Sequence, residues 1–218
     1  MKKLIWIAAL PLLAACGDTA TETAPTTAKA TAEKVETDAR APFDFTELPA
    51  GTYTDEDGHA YIQFSYDHQG FSKPILRWSE FDATVDYNPD NPSASKLTVV
   101  IPVASIDSMV PVFDDHLRGP DFFDVETYPE IRFESTSMTV NPDGSGTITG
   151  DLTVRDITKS ITFDGQLNKI GKHFRSGKDM FGISGTGSLK RSDYGVGRYA
   201  PNVGDEVDLV MEVEFQKD

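Results

Sequence analysis

The 218-residue sequence has one cysteine, no long apolar run and a deficit of positive charge, and each shortage excludes a class of protein. A lone cysteine cannot form a disulfide within the chain. The apolar run at residues 4–13 is too short to cross a bilayer core of about 30 Å as a helix. The chain carries 20 lysines and arginines against 35 aspartates and glutamates. Such an acidic balance excludes the nucleic-acid partner that a basic chain would suggest.

The position of that cysteine is the most informative feature of the N-terminus. Lys2 and Lys3 precede the apolar run, and small residues lead from it to Cys16. This order is typical of a secretory signal peptide, here residues 1–15. Its ending, Leu-Ala-Ala-Cys, resembles the bacterial lipobox, and the resemblance implies a lipoprotein whose Cys16 carries acyl chains such as palmitate. The alternative is an ordinary secretory signal with a cysteine there by chance.

An acylated Cys16 predicts a protein that is tethered to a membrane of the bacterial cell envelope and faces the periplasm. One acyl chain gives marginal membrane binding, whereas two or more hold a protein firmly. The acidic chain suggests that the lipid, rather than a basic patch, supplies the attachment. Gly17 lacks the aspartate associated with inner-membrane retention in enteric bacteria, so outer-membrane placement is favoured.

Residues 16–49 are dominated by threonine, alanine, glutamate and proline. This composition buries too little apolar surface to offset the entropy of ordering, so it predicts a disordered tether. A regulatory or partner-binding segment is the alternative. Residues 50–218 have the length of one ordinary domain, and no repeat of fixed period divides them.

The domain at 50–218 shows mostly the period-two alternation of strands that bury one face. About eight such runs are separated by short turn motifs rich in asparagine, proline, aspartate and glycine. An all-β antiparallel sheet is therefore predicted, closed into a barrel or folded as a sandwich. In the last run the side chains expected to point inward are Val207, Leu209, Met211, Val213 and Phe215.

One short helix is predicted between the strands. Asp107 or Ser108 can cap it, and Asp114 and Asp115 suit its positive N-terminal end. The sequence Gly119-Pro120 then stops it.

Several specific motifs follow one another along this domain. SID at 105–107 precedes DDHLRGPDFFDVETYPEIRFEST at 114–136, and the later ones are GDLTVRDITKSITFDG at 150–165, GTGSLKRSDYGVG at 185–197 and VGDEVDLVMEVEF at 203–215. In this order and at these spacings they resemble the YceI-like family of bacterial polyisoprenoid-binding proteins. The resemblance covers residues 53–215.

The resemblance implies a lipocalin-like, eight-stranded antiparallel barrel with one short helix and an apolar tunnel. Its ligand would be an isoprenoid or another long-chain amphiphile, such as a quinone-like molecule or a fatty amide. An eight-stranded barrel is just wide enough to hold one small ligand or to be filled by side chains. A plain core role is the alternative for each candidate lining residue: Phe71, Phe113, Phe122, Phe123, Phe133, Phe163, Phe181, Gly185 and Gly187.

The sequence predicts no catalytic residue, metal or cofactor. The four histidines are far apart and lack the spacing of metal ligands, and no nucleophile elbow is present. Asp55-Glu56-Asp57-Gly58 matches only a fragment of a calcium loop and is predicted to form a turn. The basic side chains expected to pair with surface acids, with an anionic headgroup as the alternative partner, are Arg118, Arg155, Lys159 and Arg191.

These observations favour a binding or carrier protein over an enzyme. Two rivals stay open: a structural or stress-related envelope lipoprotein whose barrel is filled by side chains, and a lipid-modifying enzyme. The oligomeric state is left open, with a dimer as one alternative.

Overall fold

In a computed structural model, residues 40–218 are described, and they form a closed antiparallel β-barrel with one short helix. The predicted signal peptide, Cys16 and the tether as far as residue 39 lie outside the described residues. No helix within residues 40–218 is long and apolar enough to cross a membrane.

The strands of the described chain belong to one sheet. In chain order they are β1 (Gly51–Tyr66), β2 (Ile75–Trp78), β3 (Asp82–Tyr87), β4 (Lys96–Pro102), β5 (Ile106–Asp107), β6 (Glu130–Val140), β7 (Ser145–Val154), β8 (Ile157–Lys172), β9 (Asp179–Lys190) and β10 (Glu206–Lys217). The helix α1 (Pro111–Arg118) follows β5.

These strands build eight barrel positions, because two of the positions are interrupted. The first half of β1 pairs with β3 and its second half with β2, so β2 and β3 act as one broken strand. β4 pairs with β3 and β5 with β2, so β4 and β5 form the next. The pairing of β1 with β10 closes the ring. The eight-stranded barrel implied by the family resemblance is therefore confirmed.

The predicted alternation of β10 is also confirmed. Val207, Val213 and Phe215 are buried, while Leu209 and Met211 face an internal cavity. Asp208 and Glu212, between them, are exposed. A shift of one residue in the β1–β10 register would reverse every one of these side chains, so the apolar pattern excludes such a shift in the closing ladder.

The helix α1 lies where the sequence predicted it, but its N-terminus is built differently. Its N-cap is Val110, which makes no capping bond, and Pro111 occupies the first turn, where its missing N–H costs nothing. Asp107 and Ser108 are not the cap. Ser108 instead donates from its backbone N–H and its hydroxyl to Asp114 Oδ1, at 2.7 and 2.5 Å. The buried Asp114 therefore ties the preceding loop to the first turn.

The folded domain begins earlier than composition predicted. The backbone N–H of Phe43 donates to the carbonyl of Pro142 at 2.8 Å, and the Tyr87 hydroxyl donates to the carbonyl of Phe45 at 2.8 Å. Leu48 is only 2% exposed and packs among Tyr53, Phe181 and other residues at this end of the barrel. The predicted end of the tether at residue 49 is thus too late. The average composition of residues 16–49 is polar, although its last part contains the three apolar residues Phe43, Phe45 and Leu48.

Leu48→Ala is expected to lower the free energy of unfolding by about 2–4 kcal/mol, because it removes buried methyl groups and leaves a cavity. Glu47→Ala is the matched control, since Glu47 is exposed and its loss should change stability by less than about 0.5 kcal/mol. Urea unfolding of the full chain measures both. Equal stabilities for the two variants would contradict the packing of this segment.

Candidate ligand-binding site

A cavity of about 370 Å³ lies inside the barrel. Among the exposed residues of its lining, His116 lies on α1, and Arg198 and Tyr199 lie in the loop at 195–205, so the cavity opens between α1 and this loop. This mouth is at the end of the barrel where β1 ends and β10 begins. The segment at 43–48 packs at the opposite end, next to the start of β1.

The interior wall of the cavity is apolar and is built from many strands at once. Because side chains alternate along each strand, every barrel strand sends one face inward. Among the inward residues are Ile62, Phe64, Leu76, Trp78, Leu97, Val99, Ile101, Ile131, Ile148, Leu152, Leu189, Leu209 and Met211. A volume of this size falls within the range of small-molecule sites, about 300–1,000 Å³.

Two glycines make room for the aromatic rings at the cavity wall. A Cβ at Gly187 would lie 2.5 Å from Phe163 Cδ1, and one at Gly150 would lie 2.5 Å from Phe133 Cζ. The two rings meet edge to face, with centroids 5.5 Å apart. These glycines therefore seat phenylalanine rings against the strands instead of leaving empty space.

In a second pair of glycines, one member does leave empty space. Gly165 and Gly185 are paired across β8 and β9, and both line the cavity. A Cβ at Gly165 would find no atom closer than 3.9 Å, whereas one at Gly185 would lie 3.0 Å from Met211 Cε. Gly165 was not a candidate from sequence, because one strand alone does not show which glycines meet across a ladder.

A smaller cavity of about 110 Å³ lies toward the segment at 43–48, with Phe45 and Leu48 in its wall. The two cavities share four lining residues: Leu97, Ile148, Gly165 and Ile183. The two cavities therefore adjoin at this level of the barrel, where Gly165 has no side chain to separate them.

The structure brings together six of the nine lining candidates: Phe113, Phe122, Phe123, Phe133, Phe163 and Gly185. Phe181 instead stacks on Phe215, with centroids 5.0 Å apart, and lines the smaller cavity. Gly187 is covered by Phe163. Phe71 is 84% exposed and lies outside both cavities, because the turn bridged at His68 and Ser72 carries it away from the barrel interior.

Aromatic rings form a rim at the mouth. Ring centroids are 6.4 Å apart for Phe113 and His116, 5.0 Å for His116 and Phe122, and 6.2 Å for Phe122 and Tyr199. An ion pair between Arg198 and Asp121 joins the same two loops. Polar groups are thus concentrated at the mouth, and the depth of the cavity is apolar.

Arg191 organises the mouth loop from within. Its guanidinium donates to the carbonyls of Gly204, Val196, Arg198 and Val203 at 2.8–2.9 Å. Burial lowers the pKa of Arg191, and burial also raises the pKa of the neighbouring Tyr66. Arg191 is only 8% exposed, so it is not the surface ion-pairing residue that the sequence suggested. The N–H groups of its guanidinium donate to backbone carbonyls.

The other three arginines and lysines expected at the surface do pair with acids. Arg118 bonds Asp115 at 3.3 Å, Arg155 lies 3.8 Å from Asp124, and Lys159 lies 3.0 Å from Asp193. Arg118 also donates to the carbonyls of Ala104 and Ile106. These contacts fix the loops around the mouth.

The cavity of the described chain brings no nucleophile and base together. Its lining serine, Ser184, donates its hydroxyl to Glu212 on the outer wall at 2.6 Å. Within residues 40–218, neither lining histidine, His68 or His116, has a side-chain hydrogen-bond partner. The arrangement can enclose an apolar chain.

Comparison with known proteins supplies the family. Residues 53–215 match the model of the YceI-like domain. The chain belongs to the YceI-like family. A protein of Pseudomonas aeruginosa strain PAO1, named as a UPF0312 protein, is 36% identical to this YceI-like chain over 161 residues, which are 73% of this chain and 83% of that one.

Solved structures resemble this YceI-like barrel. The Campylobacter jejuni YceI protein is 28% identical, with a TM-score of 0.63 over 70% of this chain and 90% of that one. A domain from Saccharophagus degradans, described as a polyisoprenoid binding domain, is 10% identical and has a TM-score of 0.59 over 78% of this chain and 100% of its own. The second likeness shows the fold alone.

Arg191→Lys is expected to lower the free energy of unfolding by about 2–4 kcal/mol, because lysine cannot reach four carbonyls and leaves buried acceptors unpaired. Arg198→Lys is the matched control, since it alters an exposed ion pair worth less than about 1 kcal/mol. Hydrogen exchange should also quicken at 195–204 in Arg191→Lys. Unchanged exchange there would contradict the organising role of Arg191.

Proposed function

We propose that this protein binds one long-chain amphiphile of the isoprenoid class in its barrel cavity and carries it without chemical change. The observation that supports this proposal is an apolar cavity of about 370 Å³ whose polar lining lies mainly at the mouth. The relative described as a polyisoprenoid binding domain has the same fold, which agrees with this ligand class.

The energetics of such binding come from the chain of the ligand. Each buried methylene contributes about 0.8 kcal/mol, so a dozen carbons contribute about 10 kcal/mol. Association costs roughly 4–15 kcal/mol in lost freedom, so only a ligand with a long buried chain binds usefully.

The ligand is proposed to enter with its chain first. Its headgroup would then remain among His116, Arg198 and Tyr199, which are exposed to water at the mouth. Its far end would reach Gly165, beyond which the smaller cavity can take more of the chain. A polar headgroup needs no buried partner in this pose, so the site should tolerate headgroups of different chemistry.

A filled barrel with a purely structural role is the weaker candidate, because an open cavity loses the packing contacts that a structural core would make. A lipid-modifying enzyme is also the weaker candidate, because the lining serine Ser184 bonds Glu212 on the outer wall and not the lining histidines His68 and His116.

We further propose that acylation of Cys16 anchors the protein to a membrane of the cell envelope, with the barrel in the periplasm and the outer membrane as its location. The lipobox-like ending of the leader supports this proposal. The acidic composition agrees with it, because no excess of positive charge would attract anionic headgroups.

The cavity proposal predicts a steep dependence of affinity on chain length. Titration of the delipidated protein with prenyl alcohols and fatty amides of increasing length measures it. Removing four methylenes should weaken binding by about 3 kcal/mol, or on the order of a hundredfold.

Gly165→Leu should weaken binding of the longest ligands to a similar degree, because the new leucine side chain enters the cavity.

Gly182→Leu is the matched control for that variant. Gly182 lies on β9 but faces the outer wall, beside Asn168 and Glu214, so this leucine should leave affinity unchanged. Affinity that is independent of chain length, or the appearance of a product during titration, would refute the carrier function.

The anchoring proposal predicts that Cys16→Ser moves the protein from the membrane fraction to the soluble envelope fraction, because the acylated thiol is lost. Cell fractionation followed by immunoblotting measures this distribution. Gly17→Ser changes the adjacent residue and serves as the control. A Cys16→Ser protein that still sediments with membranes would show that another attachment exists.

A further inference from the structure

The ladder that closes the barrel is interrupted at one place on its outer face. Asp55 pairs with Phe215 and Ala60 with Val213, so the residues 56–59 of β1 all lie opposite Glu214 alone. Bulges of this kind redirect side chains and often lie next to functional sites. The acidic motif that the sequence predicted to be a turn is therefore part of a bulge within β1, where β1 exchanges β3 for β2 as its partner.

The bulge brings three metal-binding side chains together. His59 Nδ1 lies 2.6 Å from Glu56 Oε2, and one ligand atom from each of Glu56, His59 and Glu214 lies within 4.8 Å of the others. Gly58 permits this approach, because a Cβ there would lie 3.2 Å from Glu56 Oε2. The hydroxyl of Tyr61 donates to the carbonyl of Gly58 at 3.2 Å and supports the bulge from the next residues of β1.

The two carboxylates of this cluster have no permanently charged partner among the described residues. Glu56 and Glu214 are both partly buried, and across residues 40–218 neither forms an ion pair with a lysine or an arginine. The two carboxylates give this place a negative potential that attracts a dication, and a bound dication would neutralise both of them.

We propose that Glu56, His59 and Glu214 bind a divalent first-row transition metal ion of the zinc class, which bridges β1 and β10 at the closing ladder. One imidazole nitrogen with two carboxylates suits such an ion better than Ca²⁺ or Mg²⁺, which take oxygen ligands. Ligand atoms of a tetrahedral zinc ion lie about 3.4 Å apart, as follows from bond lengths of about 2.1 Å. Small side-chain rotations bring the three groups to that spacing, with water completing the coordination.

The site differs from the proposed ligand cavity in both place and role. It lies on the outer wall, and its three residues are not among those that line the cavity. A bound ion would join the two strands across the interruption of the ladder, so it would stabilise the closed barrel by binding the folded state alone. Its presence or absence leaves the proposed carrier function intact.

The test is calorimetric titration of ZnCl₂ into the full-length protein after removal of metals with a chelator, with CaCl₂ and MgCl₂ for comparison. One zinc ion should bind per chain, and its binding should raise the unfolding temperature. His59→Gln and Glu214→Gln should each weaken zinc binding at least about tenfold, which loss of even an outer-sphere partner can cost a metal site.

His173→Gln is the matched control, because His173 is in the turn between β8 and β9 and its ring bonds Ser176 instead of the cluster. It should bind zinc as the unmodified protein does. Circular dichroism establishes that each variant folds. Absence of zinc binding by the unmodified protein would overturn the proposal, and so would equal zinc binding by folded His59→Gln.

Discussion

Closure of the ring by β1 and β10 is the interaction on which the rest of the structure depends. An open sheet of this length would leave two edges with unpaired backbone groups and one face with no partner. Pairing from Tyr53–Lys217 to Tyr66–Val207 removes both edges and creates an interior. The cavity, the mouth and the bulge that brings Glu56, His59 and Glu214 together all exist because the first and last strands of the domain meet.

A closed eight-stranded barrel must then divide its interior between side chains and space. Bulky residues are admitted where the strand opposite the ring carries a glycine, as for Phe133 at Gly150 and Phe163 at Gly187. Space remains at Gly165, whose partner across the ladder is another glycine, Gly185. Glycine thus has two effects in this barrel. At Gly150 and Gly187 it gives room to a phenylalanine ring, and at Gly165 it leaves the space empty.

The two ends of the barrel are held by different physical interactions. At one end, Leu48 and its neighbours cover the interior by apolar packing. At the mouth, the buried Arg191 holds the loop through backbone carbonyls, and the rim above it is made of aromatic rings. Apolar packing around Leu48 closes one end of the barrel. At the other end, a loop held by the hydrogen bonds of the Arg191 guanidinium borders the opening of the cavity.

The sequence by itself determined the strand class, the inward face of β10, the position of α1 and the family, because alternation and motif spacing are local properties of the chain. Only the tertiary structure decided where individual side chains lie and what they contact. It placed Phe71 outside the cavities, put Gly165 beside Gly185, buried Arg191 and packed residues 43–48 against the barrel. Each of these depends on which strand or loop lies opposite, and that information arises only when distant parts of the chain meet.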